Sequence, residues 1–195
     1  MKKYEYRNYS DYVKYQKKAA KKKHNYVWAK KENIIDIVDA VKTLLPDFRP
    51  EKGICHGART GKEVSWFKKY FGCGVVGTDI RPSHNAKIKL LAWDMHDIKY
   101  AWIGVFDFVY SNSWDHFYDP EYGFKNWGLS CKPGGLIILE YSDKHTDEYV
   151  SEIDSFGLNE DEMIDYISGI LIDFKFIVDI EFKGRGRALI WQKAK

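Results

Sequence analysis

Four short stretches of the 195-residue chain carry residues whose types and spacing suit chemistry. The first is "GICHGARTGKEVSWF", residues 53–67. Gly53, Gly57 and Gly61 recur every fourth position, ahead of a run that reads as a helix. Glycines let a backbone approach a ligand closely, and the free N–H groups of a first helical turn face it. The spacing fails the G-x-G-x-x-G dinucleotide fingerprint, and Glu63 follows Gly61-Lys62 where a phosphate loop needs Ser or Thr. Glu63 would also oppose a strongly anionic group at that helix. The second stretch, "GCGVVGTDIRP", ends in Asp79, placed to take both hydroxyls of a ribose or to serve as a turn aspartate. The third, "LLAWDMHD", offers Asp94 as an acceptor for an adenine amino group and Met95 as a polarisable contact for its ring. The fourth, "YSNSWDHFYDP", gathers Asn112, Asp115 and His116 behind an apolar run. His116 can act as a base and Asp115 can orient an amine or hydroxyl. The plainer alternative has Asp115 capping a helix that starts near Pro120 while His116 packs.

Elements that would position these residues follow from periodicity. "KGICH", "CGVVGTDI", "KIKLLAWDM", "VFDFVYSN" and "GGLIILEYS" are short, mostly apolar and end in polar or small residues, as buried parallel strands do. "TGKEVSWFKKYF" and "NEDEMIDYISG" read as helices, and strand–helix alternation predicts a doubly wound α/β sheet. "LIDFKFIVDIEF" and "RALIWQK", joined by "KGRG", read as a closing hairpin. The five parallel strands would thus end in an antiparallel pair. Residues 9–31 read as one or two helices capped by Ser10, and residues 32–46 as a helix that Pro46 ends. Ile34, Ile35, Val38, Val41 and Leu44 form its apolar face. This divides the chain into an N-terminal helical extension, 1–48, serving as lid or substrate surface, and a main domain, 49–195.

Composition sets the class. With 45% hydrophobic residues the chain suits one domain with a sizeable core. No apolar run reaches the length of a membrane span, and the basic start lacks the apolar stretch of a secretory signal. Cys55, Cys73 and Cys131 form no close pair, which suggests a reducing, cytoplasmic setting without disulfides. The six histidines form no HExxH-like cluster, so no metal is expected from spacing. Residues 1–31 hold ten lysines and one arginine against Glu5 and Asp11, a formal +9 within a net +3. Such a segment either solvates a helix surface or faces an anionic partner. Tyr9, Tyr12, Tyr15 and Tyr26 among the lysines can stack on bases or pack the segment onto the domain.

Together these residues resemble the class I S-adenosylmethionine-dependent methyltransferase family, from about Gly53 through the final hairpin. "CHGARTG" is similar to that family's first motif, with Cys55 in the acidic place, Gly57 and Gly61 kept, and Arg59 at the middle glycine. "CKPGGLIILEYS" resembles its turn and fifth strand, and a subgroup reads C-x-G-A-R-x-G-x-E and N-S-x-D-H, both matched here. The resemblance implies a seven-stranded Rossmann-like methyltransferase fold and S-adenosyl-L-methionine as cofactor. It implies cofactor contacts from Cys55, His56, Gly57, Ala58, Arg59 and Gly61 in the first loop. Asp79 and Ile80 would meet the ribose, Asp94 and Met95 the adenine, and Asn112 the methionine side. Asp115 and His116 stand as the catalytic candidates for transfer to an oxygen or nitrogen acceptor. The Arg59 guanidinium can pair with the cofactor carboxylate or with Glu63. No Asn-Pro-Pro-Tyr motif for base methylation and no cysteine pair for attack on a pyrimidine are present. Three rivals remain: a dinucleotide-dependent oxidoreductase, an aminopropyl transferase, and a non-catalytic nucleotide-binding or partner subunit.

Overall fold

A computed structural model describes residues 1–195. In chain order the elements are β1 (Lys2–Lys3), α1 (Tyr9–Lys22), α2 (Lys31–Leu44), β2 (Lys52–His56), α3 (Lys62–Phe71), β3 (Gly74–Asp79) and β4 (Leu91–Ala92). There follow β5 (Phe106–Ser111), α4 (Pro120–Ser130), β6 (Cys131–Tyr141), β7 (Phe156–Gly157), α5 (Glu160–Ile170), β8 (Phe174–Glu181) and β9 (Arg187–Lys193). Seven strands form the main sheet in the order β4-β3-β2-β5-β6-β9-β8. Neighbours from β4 through β6 pair in parallel, and β9 runs antiparallel to both β6 and β8. This is the Rossmann-like methyltransferase fold that the sequence predicts. Within the hairpin only β9 opposes the other strands.

The order of strands reverses beside β2. The chain steps outward from β2 to β3 and β4, then returns to lay β5 on the opposite side of β2. Open α/β sheets keep a crevice at such a switch point, beyond the carboxyl ends of the strands. His56–Gly57 and Ser111–Asn112 stand there, because β2 pairs with β5 up to His56 and Ser111.

Both faces of the sheet are covered, so its central strands are apolar on both sides. Along β6, Ile137 and Leu139 enter a core with Phe124, Trp127 and Ile167 of α4 and α5. The alternate residues Leu136 and Ile138 pack with Ile34, Ile37, Val38 and Val41 of α2 and with Val64 and Phe67 of α3. Thus α2 belongs to the same core as α3 and the sheet. Helix α1 buries a narrower stripe of Tyr12, Gln16, Ala19 and Ala20, and leaves Lys14, Lys17, Lys18, Lys21 and Lys22 in solvent. Tyr12 meets Tyr6 and His96 edge-to-face and Tyr118 at a tilt, so this tyrosine packs the segment onto the domain. Tyr26 stays exposed. No helix is long and apolar enough to cross a membrane.

Several local expectations are corrected. Asn8, two residues before Ser10, caps α1 through its side chain, which accepts from Asp11 N at 3.0 Å. Asp119 caps α4 by accepting from Tyr122 N at 3.1 Å, so Asp115 does not serve as that cap. The "KIKLLAWDM" strand shrinks to Leu91–Ala92, an edge strand, and no helix separates it from β3. The "LIDFKFIVDIEF" strand begins only at Phe174. A two-residue pairing of β1 with β7 pins the extreme N-terminus beside α5.

Candidate active site

The loop after β2 is built by left-handed backbone. Gly57 and Gly61 hold φ of 70° and 71°. A Cβ on Gly57 would lie 2.7 Å from the Ser113 Cβ, so only glycine lets the ends of β2 and β5 approach this closely. Arg59 also adopts positive φ, 26°, the only non-glycine residue in the chain to do so. A bulky residue there is strained, and such strain clusters at binding sites. Asp79 holds the loop down: its Oδ2 accepts from Arg59 N at 3.0 Å and its Oδ1 from Arg81 N at 2.7 Å. Burial raises the Asp79 pKa, against the pull of those two N–H groups and the Arg59 charge.

Two joined compartments open above this loop, sharing Lys23, Gly57, Arg59, Ser113 and His116. The smaller one brings Asp79, Ile80, Asp94 and Met95 together beneath Tyr12, Gln16 and Ala19 of α1. The larger, about 200 Å³, collects Gly57, Ala58, Arg59, Glu63, Asn112, Asp115 and His116. Residues named from four separate strand ends thus line one continuous cleft. Three do not. Cys55 is fully buried in the core beneath the loop. His56 bonds Thr78 Oγ1 at 2.8 Å and stacks on Trp127, and burial lowers its pKa to about 3. Gly61 caps α3 behind the cleft, against the side chains of Ile88 and Leu90.

Electrostatics single out several cleft groups. The Arg59 Nε is buried with no hydrogen-bond partner. Glu63 lies in the same wall, where burial raises its pKa to about 8 against the pull of the Arg59 charge. Burial works against the charged form of Asp94, but His96 and Tyr9 outweigh it and the pKa falls. Asp94 Oδ1 bonds His96 Nδ1 at 2.7 Å, and Oδ2 accepts from the Tyr9 hydroxyl at 2.5 Å. Asp115 is pushed up to about 7 by burial, partly relieved by His116. Strong shifts of this kind in a cleft mark candidate functional groups.

Sequence reasoning missed four contributors: Gln16, Lys23, His145 and Asp154. All lie outside the strand-end motifs. Gln16 Oε1 faces His116 Nδ1 at 2.9 Å. His145 Nε2 and Asp154 Oδ1 stand 3.9 Å from Asp115 Oδ1 and 3.3 Å from His116 Nε2, respectively. The buried spacing of 12, 16, 19 and 20 on α1 was the one available signal, since a polar residue within an apolar stripe needs a partner.

No family model matches the chain, and no curated protein matches it. Solved structures match in fold. A 1,6-didemethyltoxoflavin-N1-methyltransferase from Burkholderia thailandensis, solved with 1,6-didemethyltoxoflavin and S-adenosylhomocysteine, superposes with a TM-score of 0.76 at 10% identity, over 98% of this chain and 92% of that one. An amino pentose methyltransferase from Micromonospora echinaspora, solved with S-adenosylmethionine, gives 0.64 at 16% identity, over 91% and 96%. The [4+2]-cyclase SpnF gives 0.62 at 11% identity, over 82% and 80%. The chain therefore has the fold of class I S-adenosylmethionine-dependent methyltransferases, a fold that also hosts other chemistry.

Proposed function

We propose that the protein is an S-adenosylmethionine-dependent methyltransferase acting on an oxygen or nitrogen acceptor. The observation that carries this reading is the convergence of Asp79, Asp94, Met95, the Gly57–Arg59 loop and Asn112 on one cleft at the switch point of the sheet. The residues present fit the cofactor. A glycine cradle that a Cβ would fill lies beside a guanidinium nitrogen that lacks a partner. The donor would supply an electrophilic methyl group on a positively charged sulfur.

Around it the chain's own residues divide the work. Asp79 has lone pairs left over for ribose hydroxyls after meeting Arg59 N and Arg81 N. Asp94 would take the adenine amino group in exchange for, or beside, the Tyr9 hydroxyl it now accepts. Arg59 would receive the methionine carboxylate as a planar fork. Asn112 would border the methionine side and Asp115 and His116 the acceptor, whose departing proton needs a base. Alignment of acceptor and methyl supplies most of the rate.

Within residues 1–48, the part through α1 supplies the lid in this reading, roofing the smaller compartment, while α2 belongs to the core. Its exposed lysines, with Lys23 at the cleft, suit an anionic acceptor or partner. We read the chain as a member of the subgroup with C-x-G-A-R-x-G-x-E and N-S-x-D-H segments, a reading supported by Cys55–Glu63 and Asn112–His116. A cytoplasmic setting accords with three unpaired cysteines. The test is release of S-adenosylhomocysteine from S-adenosylmethionine when acceptor classes are offered. Release only with an acceptor supports transfer. Cofactor binding without turnover across hydroxyl, carboxyl and amine acceptors favours the non-catalytic alternative. Binding of a nicotinamide dinucleotide or of decarboxylated S-adenosylmethionine instead would favour the oxidoreductase or the aminopropyl transferase.

A further inference from the structure

Asp115, His116 and Asp154 meet in the wall of the larger compartment. Asp115 Oδ1 lies 3.9 Å from His116 Nε2, and His116 Nε2 lies 3.3 Å from Asp154 Oδ1. One ligand-type atom from each residue falls within 4.8 Å of the other two. Atoms bound at about 2.1 Å to one ion stand ~3.0–3.4 Å apart in octahedral or tetrahedral geometry, so modest side-chain rotation closes the set. The Asp115 side chain is 9% exposed, and its Oδ1 has no hydrogen-bond partner. A buried carboxyl oxygen left in this way is normally hydrogen-bonded, paired or bound to metal.

The tautomers separate a ligand from a neighbour. Gln16 Nε2 donates to the Ile153 carbonyl at 2.6 Å, which fixes Oε1 as the atom facing His116 Nδ1 at 2.9 Å. Nδ1 must then carry hydrogen, which leaves Nε2, the nitrogen facing both carboxylates, as the ring's ligating atom. Metal-binding histidines are held in this manner, with the remote nitrogen donating to an acceptor. His145 has the opposite arrangement. Its Nδ1 accepts from Ser142 N at 2.9 Å, so Nε2 carries the hydrogen and cannot ligate.

The geometry points to a divalent cation held by Asp115 Oδ1, His116 Nε2 and Asp154 Oδ1 in the wall of the cleft. One imidazole with two carboxylates suits Mn²⁺, Fe²⁺ or Zn²⁺ better than Ca²⁺ or Mg²⁺. Three protein ligands leave positions open for an acceptor oxygen, which the ion would polarise and help to deprotonate. That last role rests on the methyl-transfer reading; the cation site itself does not.

The full-length chain, stripped with chelator, is titrated with Mn²⁺ and with Zn²⁺ by calorimetry, and bound Mn²⁺ is followed by electron paramagnetic resonance. One equivalent should bind. Asp115→Asn, His116→Gln and Asp154→Asn should each weaken binding at least ten-fold. Gln16→Ala should weaken it by roughly ten- to a hundred-fold through the histidine it orients. Asp143→Asn, on an exposed residue paired with Arg185, should change nothing. If Asp115→Asn does not fold, Asp154→Asn carries the test, because its side chain is 36% exposed. No stoichiometric binding of either ion by the wild type, or unaltered binding in Asp154→Asn, overturns the site. S-adenosylmethionine binding without Mn²⁺ or Zn²⁺ binding sinks this inference alone. Metal binding without S-adenosylmethionine binding sinks the methyl-transfer reading alone.

Discussion

Replacing Arg59 with glycine should separate stability from cofactor affinity. Arg59 sits at φ 26° in the loop after β2. A left-handed conformation costs a side-chain-bearing residue about 1–2 kcal/mol, and glycine removes that cost. Glycine also loosens the unfolded chain, which takes back about 0.4–1 kcal/mol. The net gain is roughly 0–1.6 kcal/mol, or up to about 6 °C in Tm for a chain of this size. Removing a guanidinium whose Nε is buried without a partner acts in the same direction. The effect on binding is opposite. Loss of a charge-assisted contact to the cofactor carboxylate costs about 1.5–3 kcal/mol, so Kd should rise roughly ten- to 150-fold. Thermal denaturation without ligand and calorimetry with S-adenosylmethionine read the two effects separately. Arg59→Lys keeps the charge but loses the fork, and should fall between wild type and Arg59→Gly in affinity. A lower Tm with unchanged affinity in Arg59→Gly would mean that the residue serves the loop and not the cofactor.

Three further changes test other parts of the account. Asp79→Ala should weaken S-adenosylmethionine binding about ten-fold or more, and lower Tm because Arg59 N and Arg81 N lose their acceptor; unaltered affinity in calorimetry rules out the ribose contact. Gly57→Ala should lower both Tm and cofactor affinity, since φ is 70° and the new Cβ would meet Ser113 at 2.7 Å; a variant equal to wild type in both contradicts the close approach of β2 and β5. Glu140 is raised by burial from 4.5 to about 7, against the Tyr110 hydroxyl and Asn33 amide that it accepts from. Between those values the folded state holds more protons than the unfolded one, so this residue makes stability fall as pH rises through about 4.5–7. Glu140→Gln should flatten the Tm–pH curve across that window once Asn33 turns its carbonyl to the new amide; an identical slope in both proteins refutes the assignment.

Much of the frame was legible because buried parallel strands leave short apolar runs, and β2, β3, β5 and β6 fall on them. The third run misled because its apolar residues are used otherwise. Leu90 packs against Gly61 of the loop and Gly77 of β3, and Trp93 Nε1 bonds Asp97 O, so only Leu91–Ala92 pair. Asn8 and Ser10 are equally good caps in sequence, and only the docking of α1 selects between them. The two-residue β1–β7 pairing leaves no period to detect. In the cleft, Asp79, Asp94 and Asn112 were visible as polar residues ending apolar strands. Asp154 and His145 were not, since the segment between β6 and β7 has no regular spacing. Their partners, Asp115 and His116, are reached only by folding that segment back over the sheet.

The central claim is that this cleft holds S-adenosylmethionine, and calorimetry on the unaltered chain tests it most directly. S-adenosylmethionine and S-adenosylhomocysteine should each bind with one-to-one stoichiometry and displace one another, while NAD does not compete. Absence of binding for both, or binding of NAD in their place, would contradict the account.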